Sequence, residues 1–448
     1  MYDNKEHIDE VLELLESNFE KFNEEFLELH PFDQAGIVVD LEDDQLKKII
    51  QVFTPEKVSE FFEYIEEEDY DEILDIMSVK FASKMFGEMA IDDATDILKS
   101  MPVERRKKYL SEMDITDVEQ IRYLMKYQED TAGSLMTTEF IHVDVEFTVG
   151  QAMKTLIANA RDAETIYYIY VVNQKDVLQG VLSLKELILA TKDELIKDIM
   201  TDEVITTHVL TDQEDVAYQV KDYDLGAIPV VDNRNRLLGI ITVDDVLDVL
   251  EEEKDEDYAK LAALSDAEFD VQTETVFDSI KSRLPWLIIL LVVGGVTSIL
   301  LAQFEETLAV VPILTFFLPL ILAMAGNTGT QSLAVTVRAL STNQFEERKD
   351  TFKHLFREIK TGFLNGLLVG LLVFIFVFLV YSQVQIALVV AASLLVALTV
   401  ATLSGALIPI LMNAINIDPA VAAGPFITTI NDIIAVTVYL LLATRFIL

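Results

Sequence analysis

From Leu284 to the end, the chain carries five apolar stretches long enough to cross a bilayer, roughly 284–304, 308–340, 362–382, 386–412 and 420–446. Backbone polar groups in lipid must be satisfied within the chain, so these stretches are committed to helices. The second is too long for one span and contains AGNTGTQS (325–332), which reads as a helix break. The inner end of span two and the loop to span three hold Arg338, Arg348, Lys349, Lys353, Arg357 and Lys360, and the loops at 303–308 and 382–386 hold no Lys or Arg. With Lys281 and Arg283 before span one, the positive-inside rule puts the preceding part in the cytoplasm and, after five spans, the C-terminus outside; Arg445 alone runs against it.

Polar residues within the spans are few. Asp432 lies in GPFITTINDIIAV (424–436) beside Thr428, Thr429 and Asn431. An ionised group at the bilayer centre costs at least ~3 kcal/mol, so Asp432 is either a cation site or a neutral carboxyl bonded to a threonine. Asn327, Thr328, Thr330 and Gln331 either belong to a break satisfied by neighbouring helices or, with Asp432, line a cation path. Asp418, in INIDPAV, either caps the helix expected from Pro419 or serves that path. No span so drawn contains a histidine or lysine, which argues against a proton-coupled carrier.

Charge separates the two parts. Of 76 acidic and 34 basic residues, eight and seven lie from Leu284 onward, so the first 283 residues carry −41 of the net −42. Such a surface repels nucleic acid and anionic lipid and attracts cations. There is no cysteine, which excludes disulfides and thiolate metal sites and leaves hard metals held by oxygen or imidazole. The N-terminus, MYDNKEHIDEVLELL, is acidic without an apolar core, unlike a signal peptide.

Two repeats organise the acidic part. Ile65, Met77, Met89, Met101 and Met113 recur every twelve residues, each closing a short amphipathic segment, and Thr54-Pro55 reads as a helix start. That period predicts a solenoid of short helices with the methionines in its core. Further on, LMTTEFI (135–141) matches IMTDEVI (199–205), and YVVNQKDVLQGVLSLKEL (170–187) matches PVVDNRNRLLGIITVDDV (229–246). Each unit reads strand, helix, strand, strand, helix and resembles a cystathionine-β-synthase (CBS) domain. Such pairs often bind adenine nucleotides. The second unit has the ribose-binding pattern of Gly239, Thr242 and Asp245; Gly180, Ser183 and Glu186 fit it less well. The stretch 243–285 then reads as one continuous helix feeding span one. Seven acids crowd its 248–257 segment, either as a solvated face or as carboxylates awaiting a bridging cation.

With MAGNTGTQS (324–332) and DPAVAAGPFITTINDIIAV (418–436), the whole chain resembles the MgtE magnesium channels. The resemblance implies a multidomain α plus α/β chain. A helical solenoid N domain (1–130) and a tandem CBS pair (131–250) come first. A connecting plug helix (251–283) and a five-span all-α membrane domain (284–448) follow. It further implies a homodimer in the cell membrane, with a pore on the two-fold axis and no enzymatic activity. Its ligands are Mg2+ (with other divalent cations open) and ATP at Thr242 and Asp245. By the same resemblance Asp432 selects magnesium, while Asp418 and Glu256 clamp the plug helix to the pore through a bound ion. Asp245, Asp248, Glu253 and Asp257 match sensor ligands, as do Asp212, Glu214 and Asp224; Asp92 and Asp96 match the carboxylates that meet them, and Glu60 does so less closely. Ala435 departs from the family's usual glycine. Two other readings stay open: a nucleotide-regulated secondary transporter of another cation, and a membrane-anchored sensor that transports nothing.

Overall fold

A capping residue opens successive short helices of the twelve-residue repeat. Thr54 Oγ1 accepts from Lys57 N (3.4 Å) with Pro55 in the first helical position of Pro55–Phe62. Ser78 Oγ accepts from Phe81 N (3.2 Å) at the start of Val79–Phe86. Helices of eight to ten residues are marginal alone, so these depend on packing. Pro55–Phe62 packs on Val79–Phe86, which packs on Val103–Leu110, and Ile91–Ser100 packs on Ile115–Leu124. Alternate helices thus stack, as the period predicts. Ile65, Met77, Met89 and Met101 are buried and Met113 partly so, which makes the methionines core. Phe62, Phe86 and Tyr109 form an edge-to-face column at 6.2 and 5.5 Å.

The structure is a computed structural model that describes residues 8, 11–12, 14–15, 17–161, 163–264, 275–342, 344–345, 347–415, 417–419 and 424–447. It divides into two units, Met1–Leu250 and Glu251–Leu448. Besides the solenoid, the first unit holds two three-stranded sheets. β1 (Phe140–Asp144) runs parallel to β2 (Thr165–Val172), and β2 antiparallel to β3 (Leu178–Ser183). β4 (Thr207–His208), β5 (Ala227–Val231) and β6 (Leu237–Thr242) repeat that pattern. The internal repeat becomes reciprocal contact. Leu178 N donates to Asn235 O and Leu237 N to Asp176 O, both at 2.9 Å, and both turn residues are left-handed, at φ 57° and 58°. A Cβ on Gly180 would meet Met200 Sδ at 2.6 Å, and one on Gly239 would meet Thr137 O at 2.5 Å. Those glycines let each half close over the other.

The second unit departs from expectation at two places. First, 243–285 is not one helix. Val243–Leu261 ends where Ala263 takes a left-handed φ of 58° and Leu264 N returns to Ala259 O at 2.9 Å, a helix-terminating geometry. The next helix is Val276–Ala302, which starts before Leu284, and 265–274 lie outside the described residues. Second, AGNTGTQS breaks nothing, because Leu318–Ser341 is a continuous α-helix through it. The interruption falls earlier, at a 3-10 turn over Pro312–Phe316, where Tyr439 OH donates to Leu314 O (2.9 Å) and satisfies a carbonyl left outside the helical ladder. The glycines of the supposed break serve close helix contact instead. Gly326 faces Thr428, Gly329 faces Asn431, and Gly405 approaches the Gly329 carbonyl.

Among the described residues, five helices are long and apolar enough to span, as predicted: Ser279–Ala302, Pro312–Ser341, Arg348–Tyr381, Val384–Ala414 and Gly424–Phe446. The third and fourth lie against each other along Gly362, Gly366 and Gly370, where a Cβ would meet backbone atoms of Leu398, Leu395 and Ala391 at 2.8–3.0 Å. The third helix starts well before its apolar run and buries His354 and Glu358 there. Thr336 Oγ1 lies 2.9 Å from His354 Nε2, and Ser332 Oγ donates to Glu358 at 2.9 Å. The span drawn at 362–382 itself holds no histidine, and His354 lies on the polar helical extension that precedes it.

Candidate functional site

In the membrane unit, Asp432 is half-buried on Gly424–Phe446. Its neighbour Asn431 is 1% exposed, accepts from Ser404 Oγ at 2.5 Å, and leaves its Nδ2 buried without a hydrogen-bond partner among the described residues. Thr428 and Thr429 donate to the carbonyls of Gly424 and Pro425 one turn back (2.9 and 2.8 Å). Thr330 Oγ1 lies 3.3 Å from Thr428 Oγ1. The neutral-carboxyl reading needs a threonine bonded to Asp432, and no such hydrogen bond is present among the described residues. The cap expected for Asp418 falls on 420–423, outside the described residues.

At the end of Val243–Leu261, three predicted acids meet one unforeseen lysine. Lys260 Nζ lies 2.5 Å from Asp418 Oδ2 and also pairs with Glu256, one turn back on its own helix. Ser341 Oγ donates to Asp257 Oδ2 at 3.2 Å. Burial pulls the Lys260 pKa down, but bonding to the Asp418 and Glu256 carboxylates more than offsets this and leaves it raised. Burial raises that of Asp257. Leu261 seals the junction against Leu333, Val337 and Ile427.

The first unit contains a cleft of about 1100 Å³ between the solenoid and the first turns of Val243–Leu261. Its wall carries Glu60, Glu63, Asp92, Asp93, Glu164, Asp244, Asp245 and Asp248, with Arg161 as its one lysine or arginine among the described residues. Burial, then neighbouring carboxylates, pushes Asp93 up to about 8. Burial lifts Glu63 to about 7 despite a backbone bond that lowers it. Asp92, Glu164 and Asp245 are raised for the same leading reason. Asp92 is 8% exposed, and its Oδ1 has no hydrogen-bond partner among the described residues. Carboxylates that raise one another's pKa in a buried wall are short of positive charge. Among the described residues, no three His, Asp or Glu side chains converge tightly enough to hold a dehydrated ion. An ion that keeps its waters, as Mg2+ usually does, needs only one or two such carboxylates.

The structure thus gathers Glu60, Asp92, Asp245 and Asp248 in one wall, and Glu256, Asp257 and Asp418 at one junction. Glu253 lies on the same helix as Glu256 and Asp257. Asp96 is exposed beyond the cleft wall, although its charge reaches Asp93. Asp212, Glu214 and Asp224 are not brought to the cleft. Asp212 caps Gln213–Asp222 by accepting from Glu214 N (3.0 Å), and Asp224 is the left-handed residue past that helix (φ 51°). Sequence reasoning missed Glu63, Asp93, Glu164 and Lys260; only Asp93, in the doublet of IDDATD, carried a local signal. Thr242 and Asp245 bond to each other, Asp245 Oδ2 accepting from Thr242 N (3.0 Å) and Oγ1 (2.6 Å).

Comparison with known proteins agrees with this layout. The MgtE divalent cation transporter profile matches residues 318–442, the MgtE intracellular N domain 29–130, and the CBS domain 132–193 and 196–252. The chain is 42% identical to the magnesium transporter MgtE of Enterococcus faecalis over 440 residues, 97% of this chain and 96% of that one. It is 40% identical to its Bacillus subtilis counterpart over 328 residues, 73% and 72% of the two chains. Its fold is similar to a crystal structure of the soluble part of a magnesium transporter (TM-score 0.53, 39% identity), covering 56% of this chain and 99% of that one. It is also similar to the cytosolic domain of the Mg2+ channel MgtE in complex with ATP (TM-score 0.50, 35% identity), covering 54% and 98%.

Proposed function

The chain belongs to the MgtE family of magnesium transporters, multi-pass membrane proteins with a cytosolic N-terminal part, and we propose that it is a magnesium-selective channel closed by cytosolic magnesium. The observation that carries the gating half is the acidic cleft with the buried, unpartnered Asp92 Oδ1. Without cations its carboxylates repel; magnesium bridging them selects the closed packing by differential binding. At ~10 times its dissociation constant one ion contributes only about 1.4 kcal/mol. Swinging a gate from mostly open to mostly shut needs about 5.5 kcal/mol. About four ions must act together, and the acids of the cleft and of the junction at Glu256, Asp257 and Asp418 supply enough ligands. Asp96 and Glu253 would contribute as outer ligands, and Asp212, Glu214 and Asp224 would hold ions away from the cleft.

For permeation, two copies of the chain bring two Asp432 carboxylates to a shared axis, a setting suited to a hydrated divalent ion. An inside-negative potential drives a double charge inward with about 4.6 kcal/mol per 100 mV. In this reading the C-terminus lies outside, following five spans and the lysine and arginine distribution. ATP would bind the CBS pair at Thr242 and Asp245, as a relative's complex with ATP suggests. Asp245 also faces the cleft, so nucleotide and magnesium then act on one residue. Magnesium flux into liposomes, with internal magnesium and ATP varied independently, tests both parts. Flux indifferent to internal magnesium would sink the gating reading.

A further inference from the structure

We infer that Lys260 is a tethered counterion that holds the connecting helix against the membrane unit without magnesium, and so sets the magnesium concentration at which the gate responds. This rests on the reading of Glu256 and Asp418 as the two carboxylates that a gating ion bridges. Those two acids already share one cation. Lys260 Nζ is 2.5 Å from Asp418 Oδ2 and pairs with Glu256 as well, and its side chain is only 25% exposed. The lysine therefore makes the same cross-link as a bridging ion, with one charge instead of two.

Two consequences follow from the charges. With no magnesium, the ammonium removes the repulsion between Glu256 and Asp418, so the junction retains a hold on the closed arrangement. When magnesium arrives it must displace a group covalently fixed beside the site, at an effective concentration on the order of millimolar. The site loads only when magnesium competes with that. A neutral residue at 260 would make the gate leakier when empty and leave its closure to depend more fully on magnesium.

The test uses the full chain in liposomes, with internal magnesium either chelated or stepped upward. Lys260→Gln should raise flux into chelated vesicles roughly two- to fivefold, the range expected for partly exposed ion pairs. It should also enlarge the fall in flux that saturating internal magnesium produces, while Lys260→Arg, which keeps the charge, stays close to the parent. Hydrogen exchange across 251–261, measured on the full chain in chelator, should speed up in Lys260→Gln only. A Lys260→Gln protein matching the parent in both chelated flux and exchange overturns the inference. The parent reading is tested separately by Glu256→Gln with Asp418→Asn: if millimolar magnesium closes that double variant as well as the parent, the ion clamp fails. A Lys260→Gln effect that persists beside that result leaves the lysine tether standing alone.

Discussion

Gly405 of the fourth span meets Gly329 of the second so closely that a Cβ on Gly405 would stand 2.3 Å from the Gly329 carbonyl oxygen. Helices in lipid associate through such close backbone approach, since no hydrophobic drive separates their faces from lipid tails. Gly405→Ala should therefore cost about 1–3 kcal/mol by overpacking and lower the melting temperature in detergent. Gly294, with nothing within 4 Å of its Cβ position, is the control and should tolerate alanine. Equal melting temperatures for the two variants would mean that the contact is looser than described.

Asp432→Asn should abolish selective magnesium flux while leaving the protein monodisperse and its melting temperature near the parent's. The amide is nearly isosteric, and no hydrogen bond or ion pair among the described residues depends on the carboxylate, so little structure is at stake. Radiolabelled or dye-reported magnesium uptake provides the readout. Parental uptake by the variant would remove Asp432 from the pore.

Where periodicity controlled the fold, the sequence could be read directly. The twelve-residue period became stacked helices with Met77, Met89 and Met101 in their core, and the internal repeat became two sheets of like topology. Local rules failed where partners came from far along the chain. Gly326 and Gly329 looked like helix breakers because their role depends on Thr428 and Asn431, about a hundred residues away. Gly239 and Asp245 fitted a ribose pattern, yet packing on Thr137 and capping with Thr242 also call for those residue types. Lys260 was invisible because one lysine in an acidic run gains meaning only from Asp418, 158 residues later.

The cleft should also respond to protons. Asp93 and Glu63 are raised to about 8 and about 7, so the packed form holds protons that the unfolded chain releases. Their contribution to stability is complete below the ordinary carboxylate range and is lost as pH rises through those raised values. In magnesium-free buffer the full chain in detergent should melt progressively lower between about pH 4 and about pH 8. Magnesium competes with the same protons, so the stabilisation given by a fixed magnesium concentration should grow over that interval. Calorimetric titration in buffers of different ionisation enthalpy would detect the released protons. No proton release near neutral pH would contradict the raised values.

Replacing Asp92 and Asp93 together by asparagine sets two effects against each other. It removes like charge from a crowded wall, which favours the packed form, and it removes ligands, which weakens the magnesium bridge. Charges facing water would be screened over about 8 Å at physiological salt, making the first effect small. Asp92 is 8% exposed, so screening does not relieve it. An unpaired buried amide costs roughly 1–3 kcal/mol. Each pK unit corresponds to about 1.4 kcal/mol, so the rise of Asp93 to about 8 outweighs that cost only when the pH stands more than about two units above the ordinary carboxylate value. The double variant should therefore melt above the parent in chelator at about pH 8 and gain much less from added magnesium. In liposomes its flux should change less as internal magnesium is raised. A variant that gains as much from magnesium as the parent would move the sensing carboxylates out of this cleft.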